Sequence, residues 1–378
     1  MRILYGVVGE GMGHATRSRV VLEHLLLAGH DVHVVVSGRA HAFFKKTFDG
    51  RSGIAIEEIE GLTLSYGDNK LDLPESIASN IGHAPKAIAR NVESYARFKF
   101  AGYKADVVVS DFESWAYLYG INNRLSVVSI DNMQVINRCA HEDDVTDGRG
   151  QAFQIAKAAV KVKLPGAYHY LVSSFFFPPV RKPRTTLVPP ILRPEIIAAK
   201  REPRDHVLVY QTSPDNQGLL DILKTLPFSF RVYGMGREGI EANLTFRPFS
   251  QEGFIDDLRT ARAVIAGGGY SLMSECVHLG VPMLSVPIGG QYEQELNARY
   301  LQKLGYGAWA KTLDREAMEG FLADLPRMTD KIAAYPRRDN GLLFSCLTEL
   351  LDCAAARLPP PERLQTPAMG GYEGGKAE

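Results

Sequence analysis

Two doubly wound, Rossmann-like α/β domains with parallel sheets are predicted by three features of the sequence. Its 378 residues exceed what one hydrophobic core usually organises, at about 100–200 residues per domain. Short β-branched runs alternate with segments whose apolar residues recur at helical spacing, the pattern of parallel strands covered by helices on both faces. That alternation occurs in two series, with a proline-rich stretch between them.

The first series opens at residues 2–8, a β-branched run that leads through glycines into helical spacing over residues 15–28. Residues 31–37, 106–111 and 126–131 repeat the strand signal, with helical segments between. Residues 206–211, 229–233, 263–267 and 282–287 form the second series. Between the two, residues 175–194 carry Pro178, Pro179, Pro183, Pro189, Pro190 and Pro194, which neither a helix nor a central strand tolerates. The expected domains are residues 1–188 and 195–358, joined by a linker over 189–194. Residues 359–378 are rich in Pro and Gly, lack apolar periodicity and are expected to form a disordered tail.

Composition excludes several classes of function. Lys plus Arg and Asp plus Glu both number 43, so there is no basic excess to neutralise nucleic-acid phosphates. Cys139, Cys276, Cys346 and Cys353 lie far apart with no CxxC spacing, so reduced thiols in the cytoplasm are expected. The apolar run before Glu10 is too short for a signal peptide. Residues 263–292 are weakly charged, but Glu275, prolines and glycines interrupt any membrane span of about 20 residues.

Gly9-Glu10-Gly11-Met12-Gly13-His14 stands where the first strand meets the first helix. Glycines there let backbone N–H groups approach an anion or a crowded ligand; the alternative is a tight turn with no ligand. A nicotinamide fingerprint needs glycine at the sixth position, which is His14, and an acid after the second strand, which ends at Val36-Ser37. The phosphate-loop lysine motif is absent from the chain. His14 falls at the C-terminal edge of a parallel sheet, where open α/β folds bind ligands, and is a candidate general base. Asp111 ends a strand at the same edge and is a candidate to orient the ring; its alternative role is an N-cap for the helix that follows.

The second domain carries Gly267-Gly268-Gly269-Tyr270-Ser271-Leu272-Met273-Ser274-Glu275, then Gly280-Val281-Pro282, then Glu293-Gln294-Glu295-Leu296-Asn297-Ala298. The loop sets backbone amides and Ser271 at a helix N-terminus, which suits a diphosphate. Glu275 lies one turn further on, within reach of ribose hydroxyls.

These residues resemble the donor-site signature of GT-B nucleotide-sugar glycosyltransferases. They are similar to UDP-glucosyltransferases of small molecules and to the peptidoglycan lipid-intermediate N-acetylglucosaminyltransferase. Gly253-Phe254-Ile255-Asp256-Asp257-Leu258 resembles the nucleobase-holding segment of the peptidoglycan enzyme, and Gly11-Met12-Gly13-His14-Ala15-Thr16-Arg17 is similar to the glycine loop plus histidine of these enzymes. The resemblance implies two domains facing across a cleft and an inverting transfer from a nucleotide-diphosphate sugar, a UDP-sugar by preference, to an acceptor hydroxyl. His14 would be the base and Asp111 its orienter. Gly11, Gly13, Gly268, Gly269, Tyr270, Ser271 and Leu272 would surround the donor, Phe254 and Ile255 its base, Glu275 its ribose, and Glu293 with Gln294 its sugar. Thr212 and Ser213 are further diphosphate candidates. Gly267 departs from the small-molecule enzymes, which carry a phosphate-contacting histidine there, and Tyr270 leaves the pocket's shape open. Without an Asp-x-Asp signature (the nearest is Asp111-Phe112-Glu113) the transfer is expected to need no metal and no cofactor.

The partners expected are a nucleotide-sugar donor and a small-molecule, glycan or lipid acceptor, with no nucleic acid. Residues 84–104 interleave Lys86, Arg90, Arg97, Lys99 and Lys104 with aromatic and aliphatic residues. Such a stretch is a candidate for peripheral contact with the inner face of a membrane; the alternative is a solvated basic face over core aromatics. Phe175-Phe176-Phe177 before Arg181, Lys182 and Arg184 is a second candidate. A nucleotide-sugar epimerase of the same fold, turning over donor without acceptor, and a non-catalytic nucleotide-sugar sensor, with His14 and Asp111 apart, are the competing readings.

Overall fold

A computed structural model describes residues 1–9, 11–61, 65–67, 70–72, 88–98, 100, 102–211 and 217–367. The strands in chain order are β1 (Arg2–Val7), β2 (Asp31–Val36), β3 (Ile54–Glu58), β4 (Ser65–Gly67), β5 (Lys70–Asp72), β6 (Val107–Asp111), β7 (Val127–Asp131), β8 (His169–Ser173) and β9 (Thr185–Val188). Those of the second half are β10 (His206–Tyr210), β11 (Ser229–Tyr233), β12 (Gly239–Glu241), β13 (Leu244–Phe246), β14 (Ala263–Ala266), β15 (Met283–Ser285) and β16 (Gly307–Trp309).

Two seven-stranded sheets result, in the orders β3-β2-β1-β6-β7-β8-β9 and β12-β13-β11-β10-β14-β15-β16, while β4 and β5 form a separate hairpin. Within the two large sheets all neighbours pair in parallel except β12 with β13, and β4 pairs antiparallel with β5. Every residue of β6, β7 and β8 is buried, as continuous apolar runs with helices on both faces require. Strand order reverses beside β1 in the first sheet and beside β10 in the second. The loops after β1 and β6, and after β10 and β14, therefore open at switch points, where this architecture leaves a crevice.

The two sheets meet through one shared apolar cluster, which takes Val108 and Tyr170 from the first and Val264, Met273 and Tyr300 from the second. Phe176 stacks on Tyr300 at 3.9 Å, and Tyr300 hydroxyl lies 2.8 Å from His141 Nδ1. Phe175 and Phe176 are thus core residues, not the exposed patch considered from the sequence.

The end of the chain departs from the sequence expectation. The helix Gly341–Ala355, expected with the second domain, buries Leu343, Leu347, Leu350 and Leu351 in the cluster that holds Ile3, Tyr5, Val107 and Leu171 of the first sheet. Its apolar stripe finds the uncovered face of that sheet, a choice that sequence adjacency does not make. Residues 359–367 of the expected disordered tail lie against the edge strand β9. Arg184 N and Thr185 N donate to Glu362 O at 2.6 and 3.3 Å, and Leu364 N donates to Thr186 Oγ1 at 3.1 Å, so the segment covers an edge that would otherwise be open. Residues 368–378 lie outside the described residues. Within the expected linker, Leu192 is held by the Asn340 side chain through bonds of 2.9 and 2.7 Å.

Burial pushes the His141 and His169 imidazoles down to about 4. In the unfolded chain they titrate near about 6.5, so between those values the unfolded state binds protons that the native state does not. Stability contributed by these rings is present above about pH 6.5 and is lost as pH falls towards 4. The melting temperature should therefore drop steadily over that interval, and His141→Gln should flatten the drop; an unchanged slope would show that the ring is not held neutral.

Candidate active site

His14 sits in the first turn of the helix Met12–Leu27, directly after the glycine loop that ends β1, and Asp111 is the last residue of β6. Because β1 and β6 are neighbours with Val7 opposite Asp111, the two side chains meet at the switch point, His14 Nδ1 lying 2.9 Å from Asp111 Oδ1. Asp111 is 1% exposed, and its carboxylate is fully engaged: Arg17 Nε and Nη2 donate to Oδ2 and Oδ1 at 2.9 and 2.5 Å, and Ser18 Oγ donates to Oδ2 at 2.8 Å. Burial alone would raise the Asp111 carboxyl, but Arg17 and His14 outweigh it and hold it well below the usual carboxylate range. Burial lowers the His14 pKa and the Arg17 charge lowers it further, against the opposing pull of Asp111.

The alternative role of Asp111 as an N-cap is filled by Glu113, whose side-chain oxygens accept from Trp115 N and Ala116 N at 2.8 and 2.6 Å. One acid therefore serves the helix Ser114–Asn122 and the other the histidine. Glu113, the acid that came nearest to a metal signature in the sequence, is spent on backbone amides.

On the opposite wall, Gly269 is the N-cap of the helix Tyr270–Leu279 and no side chain caps it, which leaves first-turn amides for a ligand. Gly268 N is already taken: Gln294 Oε1 accepts from it and from Ile288 N, both at 3.1 Å. A Cβ on Gly268 would come within 2.6 Å of Gln294 Cβ, so the pair is a close-packed latch, in which Gln294, itself a residue of the cavity lining, pins the loop through its side-chain oxygen. Ser271 Oγ donates to Gly13 O across the cleft at 3.2 Å. A Cβ on Gly13 would meet that hydroxyl at 2.9 Å, so the two walls approach closely at this point. Tyr270 is buried, with its hydroxyl 2.9 Å from Ser173 Oγ and its ring stacked on Phe175, so it is a strut between the sheets.

Glu275 is paired in a way the sequence did not announce. Arg193, at the end of the linker, donates from Nε and Nη2 to Glu275 Oε1 and Oε2, both at 2.7 Å. Glu293, in the first turn of the helix Tyr292–Lys303, accepts at Oε1 from Asn132 Nδ2 and Asn297 Nδ2 at 2.6 and 2.7 Å. Phe254 packs edge-on to Tyr210 and Tyr233 at the cavity wall, whereas Ile255 is buried in the core. Thr212 and Ser213 lie outside the described residues.

Gly11, Gly13, His14, Gly269, Ser271, Leu272, Glu275 and Glu293 all line one cavity of about 2070 Å³ between the sheets. Its first-domain wall carries an apolar stretch of Val92, Tyr95, Trp115, Leu118, Ile155 and Val160 beside polar residues that include Glu60, Asn91 and Lys163. Of the basic stretch over residues 84–104, Arg90 pairs with Glu60, and Arg97 with Glu57 and Glu93; Lys86 and the Lys99 side chain lie outside the described residues. Arg39, which also lines the cavity, forms no ion pair among the described residues. Arg17, Arg39, Asn132 and Arg193 are the site residues that sequence reading missed. Arg17 alone carried a local signal: three residues after His14, it shares its helix face.

A model of the family described as glycosyl transferase family 1 matches residues 1–326. Two uncharacterised glycosyltransferases, from Methanosarcina acetivorans and Methanosarcina mazei, are 25% and 26% identical over 348 residues, 81% of this chain and 85% of each relative. Among solved structures, a UDP-glucosyltransferase from Polygonum tinctorium capable of glucosylating indoxyl superposes with a TM-score of 0.63 over 93% of this chain and 98% of its own, at 14% identity. The spinosyn forosaminyltransferase gives 0.61 over 93% and 99%, also at 14% identity. The two-sheet architecture is thus the GT-B fold.

The Arg193–Glu275 pair is buried and bidentate, so removing either partner strands the other. Arg193→Ala or Glu275→Ala alone should cost about 3–5 kcal/mol of stability, and Arg193→Met with Glu275→Leu together markedly less than the sum. A double-mutant cycle by denaturant unfolding measures the coupling; additive losses would mean that the two charges do not depend on each other.

Proposed function

The chain belongs to glycosyl transferase family 1, and from that premise we propose that it is an inverting, metal-independent glycosyltransferase that moves a sugar from a nucleotide diphosphate, UDP by preference, to an acceptor hydroxyl. The observation that carries this reading is one cavity with a histidine–carboxylate pair on one wall and an uncapped helix N-terminus on the other, 3.2 Å apart at Gly13 and Ser271.

In this reading His14 Nε2 takes the acceptor's proton while the acceptor oxygen bonds to the anomeric carbon. The bond from that carbon to the diphosphate breaks, and the diphosphate leaves with the electron pair. A single displacement of this kind inverts the anomeric centre. Asp111 holds Nδ1 and stabilises the imidazolium as it forms. The helix amides around Ser271, together with the Arg39 guanidinium, take up charge on the leaving diphosphate without a metal. Glu275, held rigid by Arg193, accepts from ribose hydroxyls, and Glu293 accepts from the donor sugar. Tyr210 and Phe254 flank the nucleobase.

The apolar stretch of Val92, Tyr95, Trp115, Leu118, Ile155 and Val160 supports an acceptor with an extended hydrophobic body, a lipid or an apolar small molecule. Ile88, Val92, Phe100 and Ile155 stay more than half exposed, which supports peripheral contact with a membrane that holds such an acceptor.

A ligand that binds only the folded state raises the melting temperature. UDP or a UDP-sugar should therefore raise it in the presence of a chelator, and the shift should survive His14→Ala. With an apolar hydroxylated acceptor, His14→Ala should lower transfer roughly 10²–10⁴-fold. The active ring is the neutral one and its pKa is lowered, so the rate should hold through neutral pH and fall only on the acid side. No shift with any nucleotide diphosphate would sink the donor assignment, and donor turnover without acceptor would favour an epimerase.

A further inference from the structure

The histidine–carboxylate pair and the donor-side carboxylate are joined by a single amide. Asn132, which follows β7 in the first domain, accepts from Arg17 Nη1 at Oδ1 over 2.5 Å and donates from Nδ2 to Glu293 Oε1 over 2.6 Å. A guanidinium only donates and a carboxylate only accepts, so the amide can point in one direction only. His14, Asp111, Arg17, Asn132 and Glu293 thus form a continuous hydrogen-bonded chain across the cleft, with no step longer than 2.9 Å. Arg17, Asp111 and Asn132 are 4%, 1% and 2% exposed, so the middle of the chain is shielded from water, while His14 and Glu293 at its ends face the cavity. Oε1 of Glu293 is taken by Asn132 and Asn297, and no described side chain bonds its other oxygen.

His14 Nδ1 stands at a fork in this chain. It is 2.9 Å from Asp111 Oδ1, which can only accept, and 2.6 Å from Arg17 Nη2, which can only donate. With its proton on Nδ1 the ring bonds to Asp111 and leaves Nε2 open as a base. With Nδ1 accepting from Arg17, the proton sits on Nε2 and the ring cannot take another there. The other charge acting on the ring is Lys163, and the other acid acting on Arg17 is Asp131.

We propose that Arg17 and Asn132 are positioning residues through which the second domain sets the proton position on His14. Held by Glu293, Asn132 keeps Arg17 Nη1 engaged, so that Nε and Nη2 stay on Asp111 and the Nδ1 proton is left to Asp111. Nη2 already lies 2.6 Å from Nδ1; without the anchor on Nη1 the guanidinium is free to leave Asp111 for that contact, which holds the proton on Nε2 and disarms the base. The inference rests on the glycosyltransferase reading for its purpose: the base is competent only while the donor-side helix is seated, so deprotonation and donor placement are set by one amide. Its geometry stands on the chain of contacts alone.

The test is the ring ¹⁵N spectrum of the full-length protein labelled at histidine, with the His14 signals identified by their loss in His14→Ala. Wild type, Asn132→Ala and Arg17→Lys are compared at neutral pH, each with and without UDP-glucose. Wild type should carry its proton on Nδ1, whereas in both variants more than half of the population should carry it on Nε2. Arg17→Lys keeps the charge, so wild-type ring signals in that variant would mean that only charge matters and would overturn the proposal. Identical ring signals in Asn132→Ala and wild type would overturn it as well. Melting temperatures identify any variant that fails to fold, and either variant alone then decides the question. The donor reading is scored separately by the UDP-glucose melting shift of the wild type. If that shift is missing the donor assignment fails, while the ring comparison still decides the relay.

Discussion

A buried carboxylate must be surrounded by donors, and in this protein the donors of Asp111 organise the site. The cost of placing a charge beneath a sheet edge is met by three charge-assisted hydrogen bonds, from Arg17 Nε, Arg17 Nη2 and Ser18 Oγ, with His14 Nδ1 2.9 Å away. These groups all lie in the first two turns of one helix. That single requirement fixes the helix against β6, closes the glycine loop in front of it and turns His14 towards the cleft. It also explains the electrostatics of the ring: the cation that satisfies Asp111 sits beside Nδ1 and disfavours a second positive charge there.

The second-domain wall follows the same logic with different residues. Gln294 and Arg193 both line the cavity, and each commits polar atoms to holding a glycine loop or a glutamate in place. A motif of Gly, Glu and Gln is therefore divided between groups left for a ligand, such as the helix amides at Tyr270 and Ser271, and groups that keep those amides aimed. Preorganisation of this kind would serve the proposed transfer, because fixed dipoles need not reorient as the bond to a departing diphosphate breaks. Interdomain contacts at Ser271, Tyr270 and Tyr300 hold the walls at working distance.

The parallel strands of both sheet centres were legible because burial on both faces leaves uninterrupted β-branched runs. β1, β2, β6, β7, β10, β11, β14 and β15 fall within a residue or two of their expected places. β3, β4, β5, β8, β9, β12, β13 and β16 were missed: most are short or lie at or near sheet edges, where apolar runs are diluted, whereas β8 is fully buried but opens with two polar-tipped residues, His169 and Tyr170. That His14 and Asp111 share one sheet edge was legible because each ends a strand or opens a helix at a switch point, a position that chain order alone implies. Arg17 shares a turn with His14 but reads in sequence as one more surface arginine.

The sequence by itself determined two parallel α/β sheets, the glycine loops at their switch points, and the histidine and acids that flank them, because local periodicity and turn chemistry act over a few residues. Tertiary structure decided the partners. Asn132 and Glu293 are 161 positions apart and Arg193 and Glu275 are 82, and the helix Gly341–Ala355 crosses back to the first sheet. A pairing between distant residues is set by which buried charges and apolar faces remain to be satisfied once the sheets have formed, and no short stretch of sequence carries that information.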